Sequence, residues 1–79
     1  MEFELLKNNG ESILIKEPYE LNEYELSEEK DWLRAMLDEY EDYFKDKKVI
    51  TIDEESGFDV DGDKCEYVLG ELWVNGKTI

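Results

Sequence analysis

The sequence contains no histidine, a single cysteine and only nine basic residues. Without histidine, Ser-His-Asp and Cys-His catalysis and histidine-ligated metal centres are excluded. The lone Cys65 excludes an internal disulfide framework and a cysteine-only zinc site. Nine basic residues against 23 acidic ones argue against direct contact with nucleic acid or with an anionic membrane, because both need an excess of Lys and Arg.

Long apolar runs are also missing. No run approaches the roughly 20 residues of a transmembrane helix, and the N-terminus lacks the basic and apolar regions of a signal peptide. A single unpaired thiol fits a reducing compartment, so the sequence predicts a cytoplasmic protein. The excess of Lys over Arg (eight to one) and the many Ile and Asn residues are typical of an AT-rich bacterium or its phage. We expect no cofactor and no catalytic residues, because carboxylate pairs chosen from 23 acids carry no signal.

The composition predicts one folded domain over residues 1–79, since 41% of the residues are hydrophobic and 13% aromatic. Residues 2–7 and 11–16 read as a hairpin closed by Asn8-Asn9-Gly10. Residues 19–26 read as an irregular arm, and Ser27 as the N-cap of a helix over 28–46. The apolar residues of that helix recur at helical spacing, namely Leu33, Met36, Leu37, Tyr40 and Phe44.

The C-terminal part predicts further strands. Residues 49–52 and 58–60 are short strands, and 64–74 form a strand with a bulge at Gly70, before a stub at 77–79. Asp61-Gly62 and Asn75-Gly76 are hairpin turn signals. The fold class is therefore α+β, one amphipathic helix on an antiparallel sheet in the order ββ-α-βββ. The predicted inward positions of the sheet are Phe3, Leu5, Ile13, Ile15, Ile50, Ile52, Tyr67, Leu69 and Trp73.

The negative charge is confined to two segments. Residues 20–46 carry eleven acids and three bases, and residues 53–63 carry six acids and no base. The remaining residues carry six of each, so the whole net charge of −14 lies in these two segments. A charge that served solubility alone would be spread more evenly.

On the predicted helix, six carboxylates fall within about 100° of arc opposite the apolar residues. This acidic stripe consists of Glu28, Asp31, Asp38, Glu39, Asp42 and Asp46. Over about 27 Å of axis, the stripe carries one charge per roughly 4–5 Å, which is comparable to, though not identical with, the 3.4 Å between phosphates of one DNA strand. Two readings stay open: an anion-display surface, or a solvated helix face of an acidic protein. Trp32 and Tyr43 border the stripe as partner anchors or as the margin of a small core.

The segment from Asp59 to Glu66 is a candidate calcium-binding loop, because Asp recurs at alternate positions beside a Gly. It resembles the end of the Excalibur calcium motif, although Gly57 stands where that motif has a further Asp. Aligned on Gly62 as a calcium loop, the segment lacks ligands at its first and last positions, which are Gly57 and Val68. We therefore expect a hairpin turn and no metal site. Cys65, in acidic surroundings, is expected to be a buried apolar residue and a poor nucleophile.

A small acidic α+β chain with carboxylates clustered in 20–46 and 53–63 resembles the phage-encoded DNA-mimic inhibitors. That group includes anti-CRISPR proteins and the uracil-DNA glycosylase inhibitor. The resemblance is one of size and charge pattern. It implies a rigid protein whose carboxylates occupy the basic channel of a nucleic-acid-handling enzyme, foremost a CRISPR effector. We expect the chain to act as a monomer or dimer. The candidate partner-binding residues are the acidic stripe, Trp32 and Tyr43, together with Asp53, Glu54, Glu55, Asp59, Asp61 and Asp63.

Two other functions fit the same composition. The chain could be an adaptor or an immunity-type protein that binds a basic protein surface unrelated to nucleic acid, or a calcium-binding module. Salt dependence of binding separates the first two hypotheses from calcium binding, and competition with DNA or RNA separates the mimic from the adaptor.

Overall fold

A computed structural model describes residues 1–55 and 57–79, and within them it contains one seven-stranded sheet, one long helix and one short helix. The bounds in chain order are β1 Glu2–Leu6, β2 Ser12–Lys16, α1 Glu23–Glu39, α2 Glu41–Phe44, β3 Val49–Ile52, β4 Phe58–Val60, β5 Asp63–Val68, β6 Glu71–Val74 and β7 Lys77–Thr78. The predicted α+β class, with one main helix, is confirmed. The segment 53–57, between the predicted strands 49–52 and 58–60, was expected to be a loop, and it includes Ser56, which lies outside the described residues.

The strands lie in the sheet in the same order as in the chain. Five neighbouring pairs are antiparallel, but β2 and β3 pair in parallel, with Ile15 opposite Ile50. The prediction of a purely antiparallel sheet was wrong at this pair. The connection 17–48 contains the helices and carries the chain back to the end where β2 began, which makes the next strand parallel.

The long helix begins earlier than predicted, because its N-cap is Asn22 and not Ser27. The Asn22 side chain accepts a hydrogen bond from the Glu25 backbone at 2.8 Å, and the Glu25 carboxylate accepts one from the Asn22 backbone at 3.1 Å. This reciprocal capping box satisfies two backbone N–H groups at the helix start. Residues 23–26 are therefore helical, which corrects the prediction of an irregular arm there.

The long helix also ends earlier than predicted. Tyr40 leaves helical geometry (φ −114°, ψ 41°) and separates α1 from α2. Its hydroxyl donates to the Gly70 carbonyl and accepts from the Leu72 N–H, both at 3.1 Å. Tyr40 thus holds the break in the helix against the turn between β5 and β6. The single helix predicted over 28–46 was wrong.

The core lies between α1, α2 and one face of the sheet. Its buried side chains are Leu5, Ile13, Ile15, Leu33, Met36, Leu37, Phe44, Ile50, Phe58, Val60, Cys65 and Leu72. Of the predicted inward positions, Leu5, Ile13, Ile15 and Ile50 are buried, and Phe3, Ile52 and Tyr67 pack against the core while partly exposed.

Two predicted inward residues lie outside the core, since Leu69 is 96% and Trp73 38% exposed. Leu69 and Gly70 both have positive φ (52° and 77°) and form a two-residue turn between β5 and β6, where a bulge was predicted. The strand restarts after this turn with Leu72 opposite Tyr67. Alternation along β6 then points Leu72 toward the core and Trp73 away from it.

Candidate functional site

An open cleft lies between the N-terminal half of α1 and the residues that follow β3. It consists of two adjoining hollows of about 320 and 340 Å³, which share Glu29, Ile52 and Asp53. The carboxylates that line this acidic cleft are Glu17, Glu25, Glu28, Glu29, Asp53, Glu54 and Glu55. Among residues 1–55 and 57–79, no Lys or Arg lines either hollow. The cleft is therefore a concentrated negative site.

The acidic cleft is where the two acidic segments meet. Glu28 of α1 lines the same hollow as Asp53 and Glu54, and Trp32 lines the second hollow with Glu55. These five are the predicted site residues that the fold brings together. All four carboxylates of this group are exposed. Glu28 is held by α1, and Asp53, directly after β3, donates its backbone N–H to the Gly57 carbonyl at 3.2 Å, so these two charges need little ordering before a partner binds.

Trp32 forms part of the aromatic floor of the cleft. Its ring stacks on Tyr67 with centroids 6.2 Å apart and lies 5.8 Å from the ring of Phe58. Its indole N–H donates to Glu29 Oε1 at 2.7 Å. Trp32 is half-buried and packs against the core. It therefore belongs to the margin of the core and at the same time lines the cleft.

The rest of the acidic stripe does not form one line. Asp31, Asp38 and Glu39 are exposed on α1, and Glu39 accepts a hydrogen bond from the Tyr67 hydroxyl at 3.1 Å. Asp42 lies on α2 beyond the break at Tyr40, and Asp46 follows α2. A stripe running along a single helix from 28 to 46 was therefore wrong, since only its first four members share α1.

Tyr43 lies against the core on the far side of the break. Its hydroxyl is 3.9 Å from Cys65 Sγ, and the Lys47 ammonium lies 4.7 Å from its ring centroid. Burial and the neighbouring thiol raise the pKa of Tyr43. Cys65 is buried as predicted, and burial with the negative charges of Asp63 and Asp59 raises the pKa of its thiol. Raised pKa values make both groups weak nucleophiles at neutral pH.

The acids of 59–63 lie at the β4–β5 hairpin. Asp59 is half-buried on the sheet face away from the helix, and its cross-strand neighbours are Thr51 and Lys64. Asp61 and Gly62, with φ of 49° and 95°, form the predicted hairpin turn. No group of three or more Asp, Glu or Cys side chains within 1–55 and 57–79 is arranged to hold a metal ion.

Asp61 and Asp63 have partners within the chain. The Asp61 carboxylate accepts from the backbone N–H groups of Lys48 and Val49, the latter at 2.9 Å. Asp63 Oδ1 accepts from the Asn75 side chain at 3.5 Å. Asp61 therefore ties the β4–β5 turn to the start of β3, which gives this predicted site residue a role in the fold.

Replacing Asp61 by alanine is expected to lower the free energy of unfolding by about 1–2 kcal/mol, through the lost hydrogen bonds and the positive φ at this position. Asp61→Asn is the matched control, because Asn keeps a carbonyl acceptor and tolerates positive φ while it removes the charge. Urea unfolding of the two variants measures the difference. Equal losses of unfolding free energy in the two variants would contradict a role of the Asp61 hydrogen bonds and would show that its negative charge stabilises the fold.

Sequence reasoning missed three carboxylates of the cleft: Glu17, Glu25 and Glu29. Glu25 was readable, because Asn22 and Glu25 have the spacing of a capping box. Glu29 lies inside the acidic segment 20–46 but off the stripe, since it turns toward Trp32. Glu17 lies in the electrically balanced part of the chain, and no sequence signal marks it.

Glu17 is the buried member of the cleft, with 9% of its surface exposed. Within the described residues, no N–H or O–H group donates to its Oε2 atom. Burial and the adjacent Glu29 carboxylate raise the pKa of Glu17 from 4.5 to about 8, although the Met1 ammonium opposes the shift. At neutral pH the Glu17 carboxyl therefore holds a proton, which it can share with Glu29.

Neither helix in the described part of the chain is long and apolar enough to cross a membrane. Comparison of the chain with protein-family models, with curated proteins and with solved structures finds no match.

Proposed function

We propose that this chain is a non-catalytic inhibitor that mimics the negative charge of nucleic acid and blocks the basic channel of a nucleic-acid-handling enzyme. The observation that carries the proposal is the acidic cleft, where seven carboxylates from three segments converge and no Lys or Arg among the described residues lines the hollows. Across the same residues, Lys47 and Asp46 form the one ion pair, at 3.6 Å. The acids are thus largely free to meet an external cation.

A surface of this kind has a physical use. A basic channel that binds phosphates carries clustered Lys and Arg, and a field of opposite sign attracts it over long range. Carboxylates on a folded scaffold replace phosphates without the ordering that a flexible acidic tail would need. The association rate should therefore be high at low salt and should fall steeply as the salt concentration rises.

The proposed setting is the cytoplasm of a bacterial host cell, and a phage origin fits this role. The proposed partner is a basic surface of a nucleic-acid-binding protein or complex, bound by a monomer or dimer of this chain without direct contact with nucleic acid or membrane. A CRISPR effector is the first target to test, following the resemblance to DNA-mimic inhibitors. The proposal assigns no catalytic step and no cofactor to the chain.

The experiment is affinity capture of the partner from host lysate, followed by measurement of how the purified partner binds DNA and RNA with and without this chain. We expect added chain to displace nucleic acid in a concentration-dependent way. A captured partner that keeps its nucleic acid at full affinity inside the complex would contradict mimicry. The adaptor function would then take its place.

Two charge-reversal pairs test whether the cleft makes the contact. Glu28→Lys with Glu54→Lys changes two exposed residues of the cleft, and Asp38→Lys with Asp42→Lys changes two exposed acids outside it. Both pairs change the net charge equally, so both should slow association with the captured partner. Only the cleft pair should also speed dissociation, by roughly tenfold or more. Surface plasmon resonance separates the two rates, and equal dissociation rates would place the contact elsewhere.

A further inference from the structure

The Glu17 carboxylate is the feature of the cleft that the fold itself does not explain. Its side chain is 9% exposed, and Oε2 has no donor among the described residues. In its ionised form this carboxyl has no donor for Oε2 among these residues and faces the Glu29 carboxylate, so the charged form destabilises the folded state. Glu17 lines the same hollow as Glu29 and Glu28, and the Met1 ammonium, which donates to the Glu17 backbone carbonyl at 2.9 Å, offsets this negative charge only in part. This arrangement is suited to a cation supplied from outside.

The second hollow, next to the one that contains Glu17, favours a guanidinium over an ammonium group. It is lined by the rings of Trp32, Phe58 and Tyr67, and the Trp32 indole N–H is bound to Glu29 at 2.7 Å. A guanidinium group can donate to two carboxylates at once and lie flat on an aromatic ring. An ammonium group is a more strongly hydrated point charge without this planar geometry. Each hollow, at about 320 to 340 Å³, falls within the size range of small-ligand pockets.

We propose that the acidic cleft is a binding pocket for one arginine side chain, whose guanidinium group binds the carboxylates of Glu17 and Glu29 and lies against Trp32. The inference rests on the proposed function for the source of that arginine, which would be the basic channel of the partner. The buried carboxylate then becomes the central contact, and the exposed acids around it provide attraction at longer range.

Binding is coupled to loss of a proton. Burial and Glu29 raise the pKa of Glu17 to about 8, so its carboxyl is protonated at pH 7 and must release the proton to solvent when the guanidinium arrives. The titratable groups that line the same hollow as Glu17 are Tyr19, then Glu25, Glu28 and Glu29 from α1, and Asp53 and Glu54 after β3; the Met1 ammonium also acts on Glu17. Affinity for the guanidinium should therefore rise from pH 6 to pH 8.

The test uses the isolated chain and a small probe, N-acetyl-arginine methylamide, with the lysine analogue as the comparison. In ¹H–¹⁵N spectra the indole N–H of Trp32 reports on the cleft, and that of Trp73, on the opposite face of the sheet, is an internal control. We expect a saturable shift of Trp32 with the arginine probe, little shift of Trp73, and binding of the lysine probe at least about fivefold weaker. Calorimetry at pH 7 in buffers of different ionisation enthalpy should show release of about one proton per bound probe.

Glu17→Gln keeps the shape of the side chain and removes the charge, so it should weaken the arginine probe about tenfold and abolish the proton release. Glu29→Gln, whose carbonyl can still accept from Trp32, provides a second variant with the same expected loss of affinity. Asp38→Asn removes an exposed charge of α1 that lines neither hollow, and it should weaken the probe by no more than about twofold.

Equal shifts of Trp32 and Trp73, or unchanged affinity in Glu17→Gln and Glu29→Gln, would overturn the pocket and leave only general charge attraction. The experiments test the arginine pocket and the nucleic-acid mimicry independently of each other. A probe that binds as expected, beside a captured partner that keeps its nucleic acid, would retain the pocket and reject the mimic. The reverse pair of results would retain the mimic and reject the pocket.

Discussion

Truncating Leu37 to alanine is expected to lower the free energy of unfolding by about 2–5 kcal/mol. The Leu37 side chain is 3% exposed, and it packs in the core with Leu33, Met36 and Phe44. Removing it takes apolar area out of the core and leaves a cavity that its neighbours fill only in part. Small domains have total stabilities near the low end of about 5–15 kcal/mol, and the net charge of −14 repels itself in the folded state. The variant should therefore be largely unfolded well below the melting temperature of the parent.

Urea unfolding followed by circular dichroism measures this effect. Asp38→Ala is the matched control, because it alters the next residue on the exposed side of α1. Its stability should stay within about 0.5 kcal/mol of the parent. A Leu37→Ala variant that unfolds at the same urea concentration as the parent would show that this side of the helix does not support the core.

The hairpin turns were predictable because their chemistry is local. Asp61-Gly62 and Asn75-Gly76 adopt positive φ at both residues, which Asp, Asn and Gly tolerate. Leu69-Gly70 forms the same kind of turn with a leucine that disfavours positive φ. Its conformation is supported by Tyr40, whose hydroxyl donates to the Gly70 carbonyl in the turn and accepts from the Leu72 N–H that follows it. No inspection of 69–70 alone could reveal a contact made thirty residues away.

The start of α1 was predictable from nearby residues, whereas its end depends on a contact with a distant part of the chain. The start was readable from Asn22 and Glu25, a local capping box that the choice of Ser27 overlooked. The end at Tyr40 was not readable, because the apolar spacing continues through to Phe44 and the interruption comes with packing on the β5–β6 turn. An uninterrupted helical period does not by itself establish an uninterrupted helix.

The residues of the candidate site also fall into two groups, those that the sequence reveals and those that only packing reveals. Glu28, Asp53 and Glu54 were found because charge density is visible in the sequence, and the parallel pairing of β2 with β3 around α1 places them on one cleft. Glu17 was not found, because it lies outside both acidic segments and its importance comes from burial. Burial is a property of packing between distant segments, so composition gives no access to it.

Replacing Glu17 by glutamine is expected to stabilise the fold far more at pH 8 than at pH 5. The pKa of Glu17 is raised from 4.5 to about 8, so between these values the folded chain binds a proton more tightly than the unfolded chain. The stabilisation from that proton is fully present below pH 4.5 and is lost as the pH rises to about 8, by at most about 1.4 kcal/mol per pH unit. Glutamine is neutral at every pH, and its amide can donate to Glu29 as the protonated carboxyl does.

Urea titrations of the parent and of Glu17→Gln at pH 5, 6, 7 and 8 measure this difference. Glu28→Gln removes the same formal charge from the exposed side of the hollow and corrects for general repulsion among the acids of the cleft. The gap between Glu17→Gln and the parent should widen with each step in pH, while Glu28→Gln should follow the parent. Parallel curves for all three proteins would mean that the Glu17 carboxyl ionises as easily in the folded chain as in the unfolded one. A widening gap would mean that the ionised Glu17 carboxylate destabilises the fold above neutral pH. A guanidinium group that pairs with Glu17 would then raise the melting temperature most at the pH values where the unbound chain is least stable.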